Sequence, residues 1–186
     1  YRIDLDGREQ KLDTIAALIT HGEYERAIAF CNTKNMTDRL AGLLKMRGIS
    51  CEAIHGDIQQ RIREKTLEKF KRGEIKVLVA TDVAARGIDV GNLTHVINYS
   101  LPQDSESYVH RIGRTARGTN GEGLAITFIS TEEQFQFKRI EEFLDKEIYK
   151  IPVDPKFGET PLYEPEKYSN MRRGRGRPRK DGGKGK

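Results

Sequence analysis

The chain has very little cysteine, and its two cysteines are too few for a disulfide framework. Neither Cys31 nor Cys51 has a neighbour at the spacing of a metal site. Both lie in apolar stretches that resemble strands, which predicts two buried free thiols.

Long apolar stretches are also missing. No run approaches eighteen apolar residues, which excludes a membrane-spanning helix, and no signal peptide precedes the first apolar segment. Reduced cysteines and the missing export signal predict a cytoplasmic protein with no membrane contact. The chain also starts without an initiator methionine, as a domain taken from a longer protein would.

A loop that could cradle a nucleoside triphosphate is absent as well. Such a loop follows the pattern G-x-x-x-x-G-K-[ST], and the glycine-rich stretch 118–123 lacks its Lys-Ser or Lys-Thr pair. We therefore do not expect the chain to hold a triphosphate by itself.

Charge is present in quantity but unevenly distributed. Residues 172–186 carry eight basic side chains and one acidic one, a net charge of +7. Since the whole chain carries +5, residues 1–171 carry −2. This pattern predicts three segments: a folded domain over 1–150, a proline-containing linker or surface strap over 151–171, and a disordered Arg/Gly-rich tail over 172–186.

Helical and strand periodicities alternate along the predicted domain. Strands are predicted at 27–31, 51–54, 75–80, 94–99 and 124–129, and helices at 12–19, 36–44, 62–70 and 137–144. Asp57 with Gln60, and Thr131 with Gln134, have the spacing of capping boxes that open helices. The alternation predicts an α/β fold, a doubly wound parallel sheet with helices on both faces.

Polar residues follow several of these strands directly. Asn32 and Thr33 follow the first, His55 and Gly56 the second, and Thr81 the third. In parallel sheets, ligands bind beyond the carboxyl ends of the strands, so these groups are predicted to line one rim.

The most informative segment is the string Y-V-H-R-I-G-R-T-A-R-G at 108–118. Its arginines offer planar donors that suit phosphate oxygens. The string resembles motif VI of the DEAD-box RNA helicases. Residues 28–33 resemble motif IV of the same family, and T-D-V-A-A-R-G-I-D at 81–89 resembles motif V. The H-G-D string at 55–57, followed by Gln60 and Arg63, resembles the family's H-G-x-x-x-Q-x-x-R element.

The resemblance implies a RecA-like fold and a nucleotide role for several residues. Arg114 and Arg117 would reach the γ-phosphate of ATP, with Arg117 as the arginine finger, and His110 would couple the two halves of the enzyme across the cleft. Asp89 would accept a hydrogen bond from the ribose, and Gly87, two residues earlier, would belong to the same nucleotide site. The resemblance also implies Mg²⁺, yet no D-E-A-D string is present to hold it.

The same resemblance implies contacts with an RNA backbone, made without reading sequence. The residues on matching positions are Thr33, Gly56, Gln60, Arg63, Thr81 and Arg86. For Gln60 a purely capping role stays open. Ser100 stands where the family usually has aspartate.

These features predict the C-terminal half of an ATP-dependent RNA helicase, inactive without an N-terminal RecA-like domain that holds ATP and Mg²⁺. The alternative is a stand-alone RNA-binding module or RNA chaperone without ATPase activity. In the tail, R-G-R-P-R at 175–179 resembles the core of an AT-hook, and a generic basic tail that binds nucleic acid is the other interpretation.

Overall fold

The computed structural model describes residues 1–22, 24, 26–88, 93–115 and 123–169. The strands are β1 Arg2–Asp4, β2 Ala27–Phe30, β3 Cys51–Ile54, β4 Val77–Ala80, β5 His95–Asn98 and β6 Leu124–Ile129. The α-helices are α1 Arg8–His21, α2 Lys34–Met46, α3 Gln60–Lys71, α4 Asp82–Ala85, α5 Ser105–Ile112 and α6 Gln134–Leu144. Short 3₁₀ turns occupy Thr131–Glu133, Pro155–Phe157 and Pro165–Tyr168.

The six strands form a single parallel sheet in the order β1-β6-β5-β2-β4-β3. All five predicted strands are present, and the predicted α/β fold class is confirmed. β1 was not predicted. It has only three residues, and two of them, Arg2 and Asp4, are charged side chains that the fold buries.

Helices cover both faces of the sheet, because successive strand residues point to opposite sides. Ala29 and Val79 belong to the core that packs against α1 and α2. Ile28 and Leu78 belong to the core that packs against α3 and α4. Apolar side chains of α5 and α6 form a smaller cluster with Ile129.

Both predicted capping boxes were wrong, because their first residues bind other groups: Asp57 binds Lys34, and Thr131 binds Asp6. Lys34 donates to Asp57 at 2.5 Å, which lowers the pKa of that carboxyl, and α3 begins instead after Gln59. At the other site, Ser130 and Glu133 form the box one residue earlier than predicted.

The sequence predicts that Ile62, Leu67 and Phe70 form the core face of α3, and one of these three predictions was wrong. Phe70 is fully buried and Leu67 packs against the same core, as predicted, but Ile62 is 52% exposed. Ile62 lies in the first turn of the helix.

Residues 151–169 lie against the domain. The Arg2 guanidinium is 3.6 Å from the ring centroid of Tyr163, and the amide of Glu164 donates to the side-chain oxygen of Gln134 at 2.7 Å. We call this segment the strap. The boundary at residue 150 stays a prediction.

Both cysteines are buried free thiols, as predicted. Burial raises the pKa of the Cys31 thiol to about 12 and that of the Cys51 thiol to about 11. Among the described residues, no helix is long and apolar enough to cross a membrane.

His95 gives the domain a testable pH dependence. Its ring contacts that of Tyr24, with centroids 3.7 Å apart and the planes tilted by 58°. Its Nδ1 lies 2.7 Å from the Thr94 hydroxyl, and burial lowers its pKa to about 4. A histidine in the unfolded chain titrates near about 6.5. The unfolded chain therefore binds the extra proton first, and stability falls as pH falls through this window.

We expect the wild-type chain to lose more stability between about pH 7 and about pH 5 than a His95→Gln variant does. Urea denaturation followed by circular dichroism at both pH values measures the difference. The exposed His21 provides the matched control, since His21→Gln should leave the loss unchanged. Equal losses in wild type and His95→Gln would contradict the prediction.

Candidate functional site

The carboxyl ends of the central strands bring the predicted site residues to one rim of the sheet. The rim includes the residues that follow β2, β3, β4 and β5, because parallel strands all end on the same side. The first turns of α2, α3 and α4 therefore start at this rim, and the second half of α5 reaches it through Arg111.

Arg111 ties these segments together. Its side chain is buried, and its Nε and Nη2 donate to the two carboxylate oxygens of Asp82 at 2.7 and 2.6 Å. Nη2 also donates to the side-chain oxygen of Asn32 at 2.8 Å, and Nη1 donates to the Ser100 carbonyl at 2.8 Å. The guanidinium lies 5.0 Å from the centroid of Phe30. One side chain thus links the ends of β2, β4 and β5 to α5.

Neither Arg111 nor Asp82 was among the predicted site residues. A buried arginine is rare and normally requires a partner, so a charge pattern alone assigns such a residue to the surface. The sequence signal that could have identified Arg111 as a site residue was its position between His110 and Arg114 in the 108–118 string. The serine at position 100 does not disturb the contact, because Ser100 uses its backbone carbonyl.

The segment that carries the predicted nucleotide residues is held by a capped helix. Asp104 accepts from the Ser107 amide at 2.7 Å, which lowers the pKa of Asp104 and fixes the start of α5. His110 is exposed in the last turn of α5. Arg114 lies beyond the helix end and is partly exposed, and its Nη1 donates to the Ile88 carbonyl at 3.3 Å.

A small cleft of about 70 Å³ opens beside this segment. Its lining joins α4 and α5 and includes Asp82, Arg86, His110, Arg111 and Arg114. The structure therefore places three predicted residues, His110, Arg114 and Arg86, around one opening. The cleft has the basic lining that an anionic group would need.

The two predicted threonines both cap helices at the rim. Thr33 accepts from the Met36 amide at 3.2 Å at the start of α2, and Thr81 accepts from the Ala84 amide at 3.4 Å at the start of α4. Such a cap holds the threonine hydroxyl at the amino end of the helix, where backbone N–H groups attract anions.

The remaining predicted RNA residues lie on α3 and near it. Arg63 is partly buried, its Nη2 lies 3.4 Å from the Ala84 carbonyl, and its buried Nε has no partner among the described residues. Gln60 is exposed and donates to Glu64 at 3.0 Å. Gly56 is exposed at the end of β3, with the Lys34 side chain near the position a Cβ would take.

Gly87 has φ of +78°, a left-handed conformation that favours glycine and turns the chain after α4. Two predicted nucleotide residues, Asp89 and Arg117, lie outside the described residues. The predicted tail at 172–186 does as well.

The described rim does not suit a metal ion. No group of three histidine, cysteine, aspartate or glutamate side chains comes together anywhere in the described ranges. The carboxylate that faces the cleft, Asp82, uses both oxygens to accept from Arg111. A magnesium ion would need ligands from elsewhere.

An all-parallel α/β sheet with arginines and helix-capping threonines at its carboxyl rim has these groups at the edge where open α/β sheets bind their ligands. The model of the family described as Helicase conserved C-terminal domain matches residues 10–119. The chain belongs to this family, as a RecA-like C-terminal domain of the DEAD-box group.

Individual relatives agree with this assignment. The chain is 50% identical over 138 residues to the ATP-dependent RNA helicase CshA of Listeria monocytogenes, which is 74% of this chain and 26% of that protein. Two similar solved structures are an E. coli DEAD-box protein and a yeast one. The first is SrmB bound to regulator of ribonuclease activity A, with a TM-score of 0.81 and 30% identity. The match covers 88% of this chain and 95% of the SrmB chain. The second is S. cerevisiae Dbp5 bound to RNA and ADP BeF3, with a TM-score of 0.74 and 33% identity. The match covers 83% of this chain and 42% of the Dbp5 chain.

The chain spans about a quarter of the length of the curated relatives it matches. Its membership of the DEAD-box group confirms the predicted resemblance.

Proposed function

We propose that the chain is the C-terminal motor half of an ATP-dependent RNA helicase, and that it works with an N-terminal RecA-like domain of the same longer polypeptide. The observation that carries the proposal is the buried Arg111 contact set, which ties Asn32 and Asp82, the chain neighbours of the predicted RNA residues Thr33 and Thr81, to α5, the helix that leads into the predicted nucleotide residue Arg114. A cytoplasmic location goes with this proposal.

In this proposal the N-terminal domain holds ATP and Mg²⁺, and the magnesium neutralises charge on the phosphates when bound. The chain's own residues approach from the other side of the cleft. Arg114 and Arg117 donate to the γ-phosphate oxygens, where charge spreads during transfer, and Arg117 acts as the arginine finger. His110 lies exposed beside the opening and contacts the N-terminal domain. Asp89 and Gly87 position the ribose.

RNA lies along the starts of α2, α3 and α4, next to the cleft that Arg86 shares with His110 and Arg114. Thr33 and Thr81 present hydroxyls at helix starts, and Arg63 and Arg86 provide charge. Gly56 leaves room for a close approach of the backbone, and Gln60 adds an amide. These contacts reach phosphate and sugar atoms, so binding does not depend on base sequence. Arg111 transmits a change of position at one part of the rim to the other.

The experiment compares ATP hydrolysis by the 186-residue chain with hydrolysis by the longer protein that carries both domains. We expect no turnover by the chain alone, with or without RNA, since it lacks a phosphate loop. We expect RNA-stimulated turnover by the longer protein. RNA annealing by the chain alone, combined with no ATPase activity in the longer protein, would favour the alternative of an RNA chaperone.

The tail provides a prediction of its own: it dominates the affinity of the isolated chain for nucleic acid. Residues 1–171 carry a net charge of −2, whereas 172–186 carry +7. If about five of the tail cations contact phosphates of a single strand, the logarithm of the association constant falls with the logarithm of the salt concentration with a slope of about −3.5. Raising the salt concentration from about 50 to about 200 mM then weakens binding roughly a hundredfold.

Fluorescence anisotropy with single-stranded RNA across that salt range measures the effect, and truncation after Met171 should remove most of both affinity and slope. Unchanged binding by the truncated chain would instead place the main contacts on Arg63, Thr81 and Arg86. Competition with duplex DNA separates the two interpretations of the tail, because an AT-hook prefers A·T-rich over G·C-rich duplex and a generic basic tail does not.

A further inference from the structure

A groove of about 600 Å³ lies between α1 and α2, on the opposite face of the sheet from α3 and α4. Its floor is aliphatic. Leu12 and Leu40 are buried there, and Met36 and Leu43 are partly exposed. The nucleotide and RNA roles proposed above use none of these residues. The groove is large enough to take several apolar side chains of a ligand.

The rim of the groove is basic. It carries four cations and two acidic residues, a net charge of +2: Arg8, Lys11, Arg39 and Arg47 against Glu9 and Asp13. Two of the cations are already engaged within the chain. Arg47 donates to Asp13 at 2.5 Å, and Lys11 donates to the Tyr99 carbonyl at 3.2 Å.

The other two cations, Arg8 and Arg39, are exposed and have no ion pair among the described residues. An arginine offers bidentate donors to a carboxylate, and the gain is larger beside an apolar surface that excludes water. The combination of an aliphatic floor and two free guanidiniums therefore selects a ligand that is both apolar and acidic.

We propose that the groove docks an acidic, apolar peptide segment of a partner protein. Its apolar side chains lie on Leu12, Leu40 and Leu43, and its carboxylates accept from Arg8 and Arg39. An amphipathic helix with apolar residues at i, i+4 and i+7 has the shape for a groove between two helices. This docking goes beyond the helicase role and does not depend on it.

RNA fits this groove poorly. Bases bind single-strand sites by stacking on aromatic rings, and the aromatic residue that lines the groove, Tyr99, is 6% exposed with the Lys11 ammonium 5.5 Å from its ring centroid. The aliphatic floor offers a phosphate backbone no hydrogen bonds. The chain's own tail is excluded by charge, since +7 would meet a rim of +2.

The test uses the complete 186-residue chain and three fluorescein-labelled peptides of about 16 residues. One has leucines at helical spacing with glutamates between them, the second replaces the leucines by serine, and the third replaces the glutamates by lysine. We expect only the first to bind, and the amide signals of α1 and α2 to shift in ¹⁵N NMR spectra. A single-stranded uridine RNA serves as the competitor.

Reversing both free charges in an Arg8→Glu/Arg39→Glu variant should weaken binding of the acidic peptide about tenfold or more. Arg139→Glu is the matched control, an exposed helical arginine on α6 that should change the affinity less than about twofold. A melting curve like that of the wild type shows that each variant is folded.

Three results would overturn the proposal: equal affinity of the double variant, equal binding of the serine or lysine peptide, or displacement of the acidic peptide by RNA. Sedimentation of the peptide-free chain gives one further outcome, because association abolished by the double variant would assign the groove to a second copy of this chain. RNA-stimulated ATPase activity of the longer protein tests the helicase role separately.

Discussion

Replacing Arg111 by methionine is expected to lower the free energy of unfolding of the 186-residue chain by about 3 kcal/mol. Removing one member of a buried ion pair costs about 3 to 5 kcal/mol, because the remaining charge keeps its desolvation penalty. The lower end applies here, since the Asp82 side chain is 35% exposed and water can reach it. The side-chain oxygen of Asn32 and the Ser100 carbonyl also lose their donor.

Urea denaturation followed by far-UV circular dichroism measures this loss, which suits a chain without tryptophan. Arg114→Met is the matched control, because the hydrogen bond that Arg114 makes among the described residues, to the Ile88 carbonyl, is longer at 3.3 Å, and its loss should cost less than about 1 kcal/mol. Equal losses in the two variants would show that Arg111 does not hold the rim together.

The largest expected effect concerns catalysis. In the longer protein with both domains, Arg117→Lys should lower ATP turnover by about 10³ to 10⁵, which corresponds to about 4 to 7 kcal/mol of barrier. Lysine keeps the positive charge but loses the planar pair of donors that spans two phosphate oxygens. Affinity for RNA should remain nearly intact, because Arg117 belongs to the nucleotide part of the proposed site.

Single-turnover hydrolysis at saturating RNA measures the chemical step for wild type, Arg117→Lys and the exposed-surface control Arg139→Lys. If Arg117→Lys hydrolyses ATP at the wild-type rate, the finger lies elsewhere, and Arg114 at the 70 Å³ cleft is the next residue to replace. A parallel loss of RNA affinity would indicate that Arg117 contacts RNA.

The sequence predicted the central part of the fold because that part depends on local patterns. Continuous apolar runs such as 75–80 are typical of strands buried on both faces, and they were assigned correctly. β1 could not be predicted from such a pattern, because two of its three residues are charged and their burial depends on partners far along the chain. Arg2 is covered by Tyr163, and Lys150 pairs with Asp4 at 2.7 Å.

The candidate site also contains residues that local patterns predict and residues whose role depends on distant contacts. Residues that end up exposed at the rim, such as His110 and Thr33, could be proposed from the motifs that contain them. Arg111 could not be singled out, since its role rests on the simultaneous approach of Asp82, Asn32 and the Ser100 carbonyl from three separate strand ends. The wrong capping prediction at Asp57 also has a tertiary cause, because Lys34 reaches the Asp57 carboxylate from α2.

The pairing of the first strand with the last has a consequence for how the chain folds during synthesis. β1 pairs with β6 in the register Arg2 with Thr127, so the first strand stays unpaired until the last one has left the ribosome. At about 5 to 20 residues per second, the interval is roughly 6 to 25 seconds. Contacts so distant in sequence also slow the search for the native state. The unpaired β1 therefore gives chaperones a defined period in which to bind, and shortening that period by faster translation of residues 5–123 should raise the yield of soluble protein.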